Sequence, residues 1–126
     1  MTVYKILIVG LGGFLGSVAR YITAKAVDDK LGPVFPYGTL AVNLVGSFLL
    51  GVIYALAIRK AGLTENGRLF LGVGFCGGFT TFSAFALENF NLLQEKLIGT
   101  SLLYMGLSLL GGILALAGGI WAARFI

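Results

Sequence analysis

An amide, a carboxylate and a guanidinium stand inside apolar runs of this chain: Asn43 in GTLAVNLVGSFLLG, Glu88 in FSAFALENF and Arg20 in GGFLGSVARY. Such groups are costly in a membrane unless they meet a partner or a wet cavity, so their helical phase reads as a lining. Thr39 and Asn43 lie four apart, and Gly46 and Ser47 extend the same small polar stripe. Ser101, Tyr104 and Ser108 follow i, i+3, i+7 and share one helical face. Thr81, Phe85 and Glu88 share another, with Phe82 beside Phe85 at i+3. Arg20 sits near enough to the end of its run to snorkel towards water.

Hydroxyls, an amide and an arginine are donors, and a path lined by donors suits an anion. No ring of carboxylates of the kind that selects cations is present; Glu88 and Glu95 lie towards one end of their segment. Phenylalanine adds a weaker donor, because the ring quadrupole leaves its edge positive. A narrow site of this kind favours a compact ion over a large one. Each residue also has a plainer role. Serine and threonine can bond their own backbone, Tyr104 can anchor at an interface, and Phe75, Phe79 and Phe82 make an ordinary packing stripe. Asn43 and Glu88 are harder to dismiss, since each needs a partner.

The elements that must position these groups are membrane helices. Of 126 residues 58% are hydrophobic and 11% charged, where a soluble domain carries about a quarter charged. Spans of about 20 apolar residues are expected over roughly 4–27, 37–58, 69–94 and 99–123. Short polar connections separate them: DDKLGPVFPYG with both prolines, RKAGLTENGR, and QEK. The expectation is an all-α integral membrane protein, one four-span domain over 1–126, with no cleavable signal peptide ahead of the first span.

Several function classes lose their chemistry. With no histidine and only Cys76, transition-metal sites, disulfides and the usual bases and nucleophile pairs are missing. An enzyme is not expected. The net charge of +4 is scattered near span ends rather than clustered, so nucleic acid is not an expected partner. GLGGFLG lies within a span and follows no strand, which rejects a dinucleotide loop. Gly12 and Gly16, Ser47 and Gly51, and Gly111, Ala115 and Gly119 have the small-xxx-small spacing of close helix contacts, and tight packing with so little interior predicts an oligomer. Lys5, Arg59, Lys60, Arg68 and Arg124 fall on one side against Lys25, Lys30 and Lys96 on the other. Five against three is a weak orientation signal, compatible with insertion both ways.

One stretch remains odd. GFCGGFTTFSAF puts two adjacent glycines, two adjacent threonines and several rings into a single span. Together with GGFLGSVARY and GTLAVNLVGSFLLG, in that order on a chain of this size, it resembles the Fluc-type fluoride channels, also called the CrcB family, along essentially the whole length. The resemblance implies a dual-topology homodimer of antiparallel subunits in the cytoplasmic (inner) membrane, with two fluoride pores. Phe82 and Phe85 match the rings whose edges contact fluoride, Asn43 the pore amide, and Arg20 the vestibule arginine. Thr39, Ser83, Tyr104, Ser108 and Glu88 are the polar residues beside the rings. Gly77 and Thr80 fall where the family breaks its third helix, and their backbone carbonyls are expected to hold a structural Na⁺ at the dimer centre. No organic cofactor is implied. Ala84 and Gly112 depart from the pattern, each where relatives offer a hydroxyl.

Two rivals stand beside this reading. A small proton-coupled multidrug exporter, also four-span and dual-topology, needs a mid-membrane acid, usually in the first span. That span has none before Asp28. A non-transporting assembly subunit held by its glycine faces needs neither Asn43 nor the paired phenylalanines.

Overall fold

A computed structural model describes residues 1–59 and 62–126; Lys60, counted above among the cations of one side, lies outside the described residues. Among the described residues, four helices are long and apolar enough to cross a membrane: Val3–Leu31, Tyr37–Ile58, Glu65–Gln94 and Ile98–Phe125. The first outruns its expected end near residue 27 and the third begins before residue 69, each by taking in charged residues at a polar end.

Helix α1 (Val3–Leu31) opens on the Thr2 hydroxyl, which accepts from the Lys5 N–H at 3.2 Å, and closes at Gly32 with φ +102°. That backbone region is open to glycine and strained for other residues. Pro36 precedes α2 (Tyr37–Ile58). The N–H of Gly38 in its first turn donates to Asp28 Oδ1 at 2.7 Å, which satisfies one of the orphan donors of a helix start and ties α2 to the end of α1. At the opposite end the Lys5 ammonium meets Glu65 Oε1 at 2.8 Å. This exposed pair contributes little stability but marks where the third span starts relative to α1.

The third span is composite. A single turn, α3 (Glu65–Arg68), is capped by Thr64 and runs into a π-helical stretch, Leu69–Cys76. After α4 (Gly77–Phe79) come two residues in extended conformation: Thr80 at φ −95°, ψ 160° and Thr81 at φ −152°, ψ 120°. Helical geometry resumes in α5 (Phe82–Gln94). Its C-terminus is a Schellman turn, with Leu97 N–H on the Leu92 carbonyl at 2.9 Å and Lys96 N–H on that of Leu93 at 3.0 Å. Lys96 takes the position where glycine is usual, at φ 62°. Helix α6 (Ile98–Ala122) ends in a 3₁₀ turn, Ala123–Phe125.

Close backbone-to-backbone contacts hold these spans. Gly16 of α1 lies so close to the third span that a Cβ there would run into the Phe75 carbonyl. Gly119 of α6 and Gly51 of α2 stand likewise against the backbones of Phe48 and Leu116. Such approach is how helices gain van der Waals contact in lipid, where no hydrophobic drive separates helix from solvent. The glycine faces are therefore used inside the chain, α1 on the third span and α2 on α6. They give no support for the oligomer expected from them.

The core is thin: Val42, Cys76, Phe79, Leu92 and Tyr104 are buried. Leu11, Phe14, Phe82, Leu110 and Leu114 lie among many exposed large apolar side chains. With four spanning helices, that outer surface is what a multi-pass membrane protein presents to lipid.

Candidate functional site

Asn43 of α2 explains the turn at Thr80 and Thr81. Its Oδ1 accepts from the Thr81 N–H at 2.7 Å, and its Nδ2 donates to the Thr81 carbonyl at 3.0 Å. One side chain thus satisfies both backbone polar groups of a residue that has left the helix, where neither could be left unpaired in lipid. The Thr81 hydroxyl accepts from the Ala84 N–H at 3.1 Å and so caps α5. It also lies 3.2 Å from the Ser83 hydroxyl.

These bonds have a consequence one turn back. In an unbroken helix the Thr81 N–H would bond the Gly77 carbonyl, and the Ala84 N–H that of Thr80. Both donors are diverted, the first to Asn43 and the second to the capping hydroxyl. The carbonyls of Gly77 and Thr80 lose their regular partners. Of the two carbonyls between them in sequence, that of Gly78 accepts from Arg20 Nε at 3.0 Å. Arg20 stands about three turns before Leu31 and is spent on the end of α4, a more specific role than snorkelling.

Below the turn, three helices converge on Glu88. Its two carboxylate oxygens accept from the Thr39 hydroxyl of α2 at 2.6 Å and the Tyr104 hydroxyl of α6 at 2.8 Å. Tyr104 is fully buried and Thr39 nearly so. The Tyr104 ring packs on that of Phe85, with centroids 5.0 Å apart, and Phe85 on Phe82 at 5.7 Å. A continuous series runs Phe82, Phe85, Tyr104, Glu88. At its far end, Phe82 is 79% exposed.

Two cavities flank this series. A groove of about 430 Å³ is lined by Asn43, Ser47, Thr80, Phe82, Phe85 and Ser108, among others. In it the Ser108 hydroxyl is buried without a hydrogen-bond partner among the described residues. A second cavity of about 510 Å³ lies beyond Glu88, with Asp28, Asn91 and Glu95 on its walls. Asn43, Phe82, Phe85, Ser108, Gly77 and Thr80 thus share one groove. Thr39, Tyr104 and Glu88 form a separate cluster below it, Ser83 stays on the exposed face of α5, and Arg20 bonds the Gly78 carbonyl of α4 without lining the groove.

One buried pair was not anticipated. Asn89 Nδ2 donates to the Phe85 carbonyl at 2.9 Å, and its Oδ1 accepts from the Ser101 hydroxyl at 2.8 Å. Asn89 is an amide within a span just as Asn43 is, and Ser101 belongs to the α6 polar face; the same cost argument would have paired them.

The groove, its rings and the turn beside Asn43 lie within the segment that a family model matches. The family model described as "CrcB-like protein, Camphor Resistance (CrcB)" matches residues 7–120. The chain belongs to the CrcB family. It is 49% identical over 121 residues to a protein of Chlorobium chlorochromatii named "Fluoride-specific ion channel FluC", covering 96% of this chain and 93% of that relative. A protein of the same name from Bacteroides fragilis is 46% identical over 125 residues, covering 96% of this chain and 98% of its own length. Another, from Caulobacter vibrioides, is 45% identical over 121 residues, with 95% of each chain covered. The resemblance seen in the motifs holds over nearly the full length. As a member of a family of ion channels, this CrcB protein is not an enzyme.

Proposed function

We propose that this CrcB-family protein is a passive fluoride-selective channel of the cytoplasmic membrane, working as an antiparallel homodimer with two pores. The observation that carries this reading is the groove beside the turn at Thr80 and Thr81. It joins the Phe82 and Phe85 rings, an amide-braced backbone and an unpartnered hydroxyl, and is open along one side with Phe82 at its rim. An open side is what a second subunit would close. The fluoride-specific name of the relatives supports the choice of ion.

In this reading fluoride trades its water for the positive edges of Phe82 and Phe85, the Ser108 hydroxyl and polar groups near Asn43. It then passes the Thr39, Tyr104 and Glu88 cluster, with Ser83 near the outer face and Arg20 lending positive charge to the vestibule. The ring edges and the Ser108 hydroxyl are weak donors, and in a narrow space they suit a small, strongly hydrogen-bonding anion over chloride. Hydrogen fluoride enters a cell as the neutral acid and dissociates in the more alkaline cytoplasm. A passive pore then lets the trapped anion leave down its gradient, with no nucleotide or catalytic group.

The family resemblance adds a Na⁺ ion at the dimer centre, held by the Gly77 and Thr80 carbonyls of each subunit. The residues fit that ion. Both carbonyls have lost their helical donors to Asn43 and Thr81, and carbonyl oxygen is the ligand a hard cation takes. When bound, the ion supplies charge that satisfies these oxygens and pins the two turns together; conduction does not run through it.

The test is flux from liposomes. Purified protein should release fluoride without any proton gradient, and should run as a dimer in mild detergent. Efflux no faster than from empty liposomes overturns the channel reading, and a stable monomer overturns the shared pore.

A further inference from the structure

The stripe that begins with Thr39 and Asn43 on α2 continues to Ser47, one further turn along the same face. Thr39 is spent on Glu88 and Asn43 on Thr81, whereas Ser47 lines the open groove. Across that groove stands α6. The Ser108 hydroxyl there is buried without a partner, although serine in a membrane helix commonly returns its proton to the carbonyl four residues back. An unpaired buried hydroxyl in a native structure calls for a ligand or an unseen partner. One turn further, α6 has Gly112 instead of a side chain. A Cβ built on it would find a single neighbour within 4 Å, the Ser47 Oγ at 3.9 Å. The helices cannot drift here, because the backbones of Gly51 and Gly119 touch their neighbours just beyond.

We propose that Ser47 and Ser108 form a halide subsite bridging α2 and α6, one turn along these helices from Asn43 and Tyr104, and that the bare Gly112 leaves the room for it. Two hydroxyl protons from opposite walls grip a small dehydrated anion, a geometry that a larger halide between fixed backbones does not fit. Ser47 thereby takes over, from α2, the donor role that a side chain at position 112 would play from α6. The inference rests on the fluoride reading above and deepens it.

The experiment is fluoride efflux from liposomes by the wild type, Ser47→Ala, Ser47→Cys, Gly112→Ser and the double variant Ser47→Ala with Gly112→Ser. Loss of one hydrogen bond to an anion predicts roughly a tenfold slower flux for Ser47→Ala. Ser47→Cys, nearly isosteric but a poor donor, should be as slow, which separates the lost proton from any packing effect. The double variant should return to within about threefold of wild type, because a hydroxyl at position 112 is built beside the vacated one. Wild-type rates in Ser47→Ala or Ser47→Cys, or a double variant as slow as the single one while still dimeric on gel filtration, overturn the subsite and leave the channel reading intact. A wild type that passes no fluoride overturns both.

Discussion

The third span has two halves that differ in almost every respect. Leu69–Phe79 lies with its backbone against α1, Gly16 on the Phe75 carbonyl, and offers few free polar groups. Phe82–Gln94 packs chiefly through polar side chains: Glu88 to Thr39 and Tyr104, Asn89 to Ser101. The first half is a dry anchor and the second is a wall of hydroxyls, carboxylate and ring edges. Thr80 and Thr81 separate them. The arrangement teaches that the rigid half lets the chain hold the other half open: rings such as Phe82 can stay exposed because stability is gathered elsewhere.

The comparison breaks most completely at the anchor. Gly16→Leu forces a side chain into the Phe75 carbonyl and to within 3.0 Å of the Phe79 N atom, where only backbone could give way. No folded protein is expected, seen as loss of the monodisperse peak on gel filtration. A smaller effect is expected at the join. Asn43→Leu leaves the N–H and carbonyl of Thr81 unpaired at about 1–3 kcal/mol for each group. A protein that still folds but melts at lower temperature and conducts poorly is the expected outcome; unchanged melting would show that Asn43 does not hold the turn. The smallest effect lies at the end of the polar half. Lys96→Gly relieves a residue at φ 62° and should add about 1 kcal/mol, read as a slightly raised thermal midpoint in detergent with flux unchanged.

The anchor and the polar half were not equally legible from sequence. The spans were, because apolar length is a property of consecutive residues. The α2 helix falls at Tyr37–Ile58, as the hydropathy predicts. Asn43 and Glu88 were legible as costs, since an amide or carboxylate in a span demands a partner. Their partners were not, because periodicity gives the face of each helix without its rotation against the next. Three polar stripes could be read, but not that Thr39 and Tyr104 meet on one carboxylate. Asn89 was passed over beside the more conspicuous Phe85 and Glu88. The π-helical stretch Leu69–Cys76 carries no signal in a uniformly apolar run. The glycine spacings showed where backbones touch but not on which partner, for small-xxx-small fits a contact within a chain as well as one between chains.

The central claim is that Phe82 and Phe85 form the selective surface of a fluoride pore while contributing little to the fold. Fluoride and chloride efflux from liposomes, compared for the wild type, Phe82→Ile and Phe85→Ile, tests it most directly. The account predicts rapid fluoride and no chloride efflux from wild type. Either substitution should reduce fluoride flux to the level of empty liposomes while the protein remains a dimer on gel filtration. Fluoride flux that survives both substitutions, or chloride that passes as fast as fluoride, would contradict it.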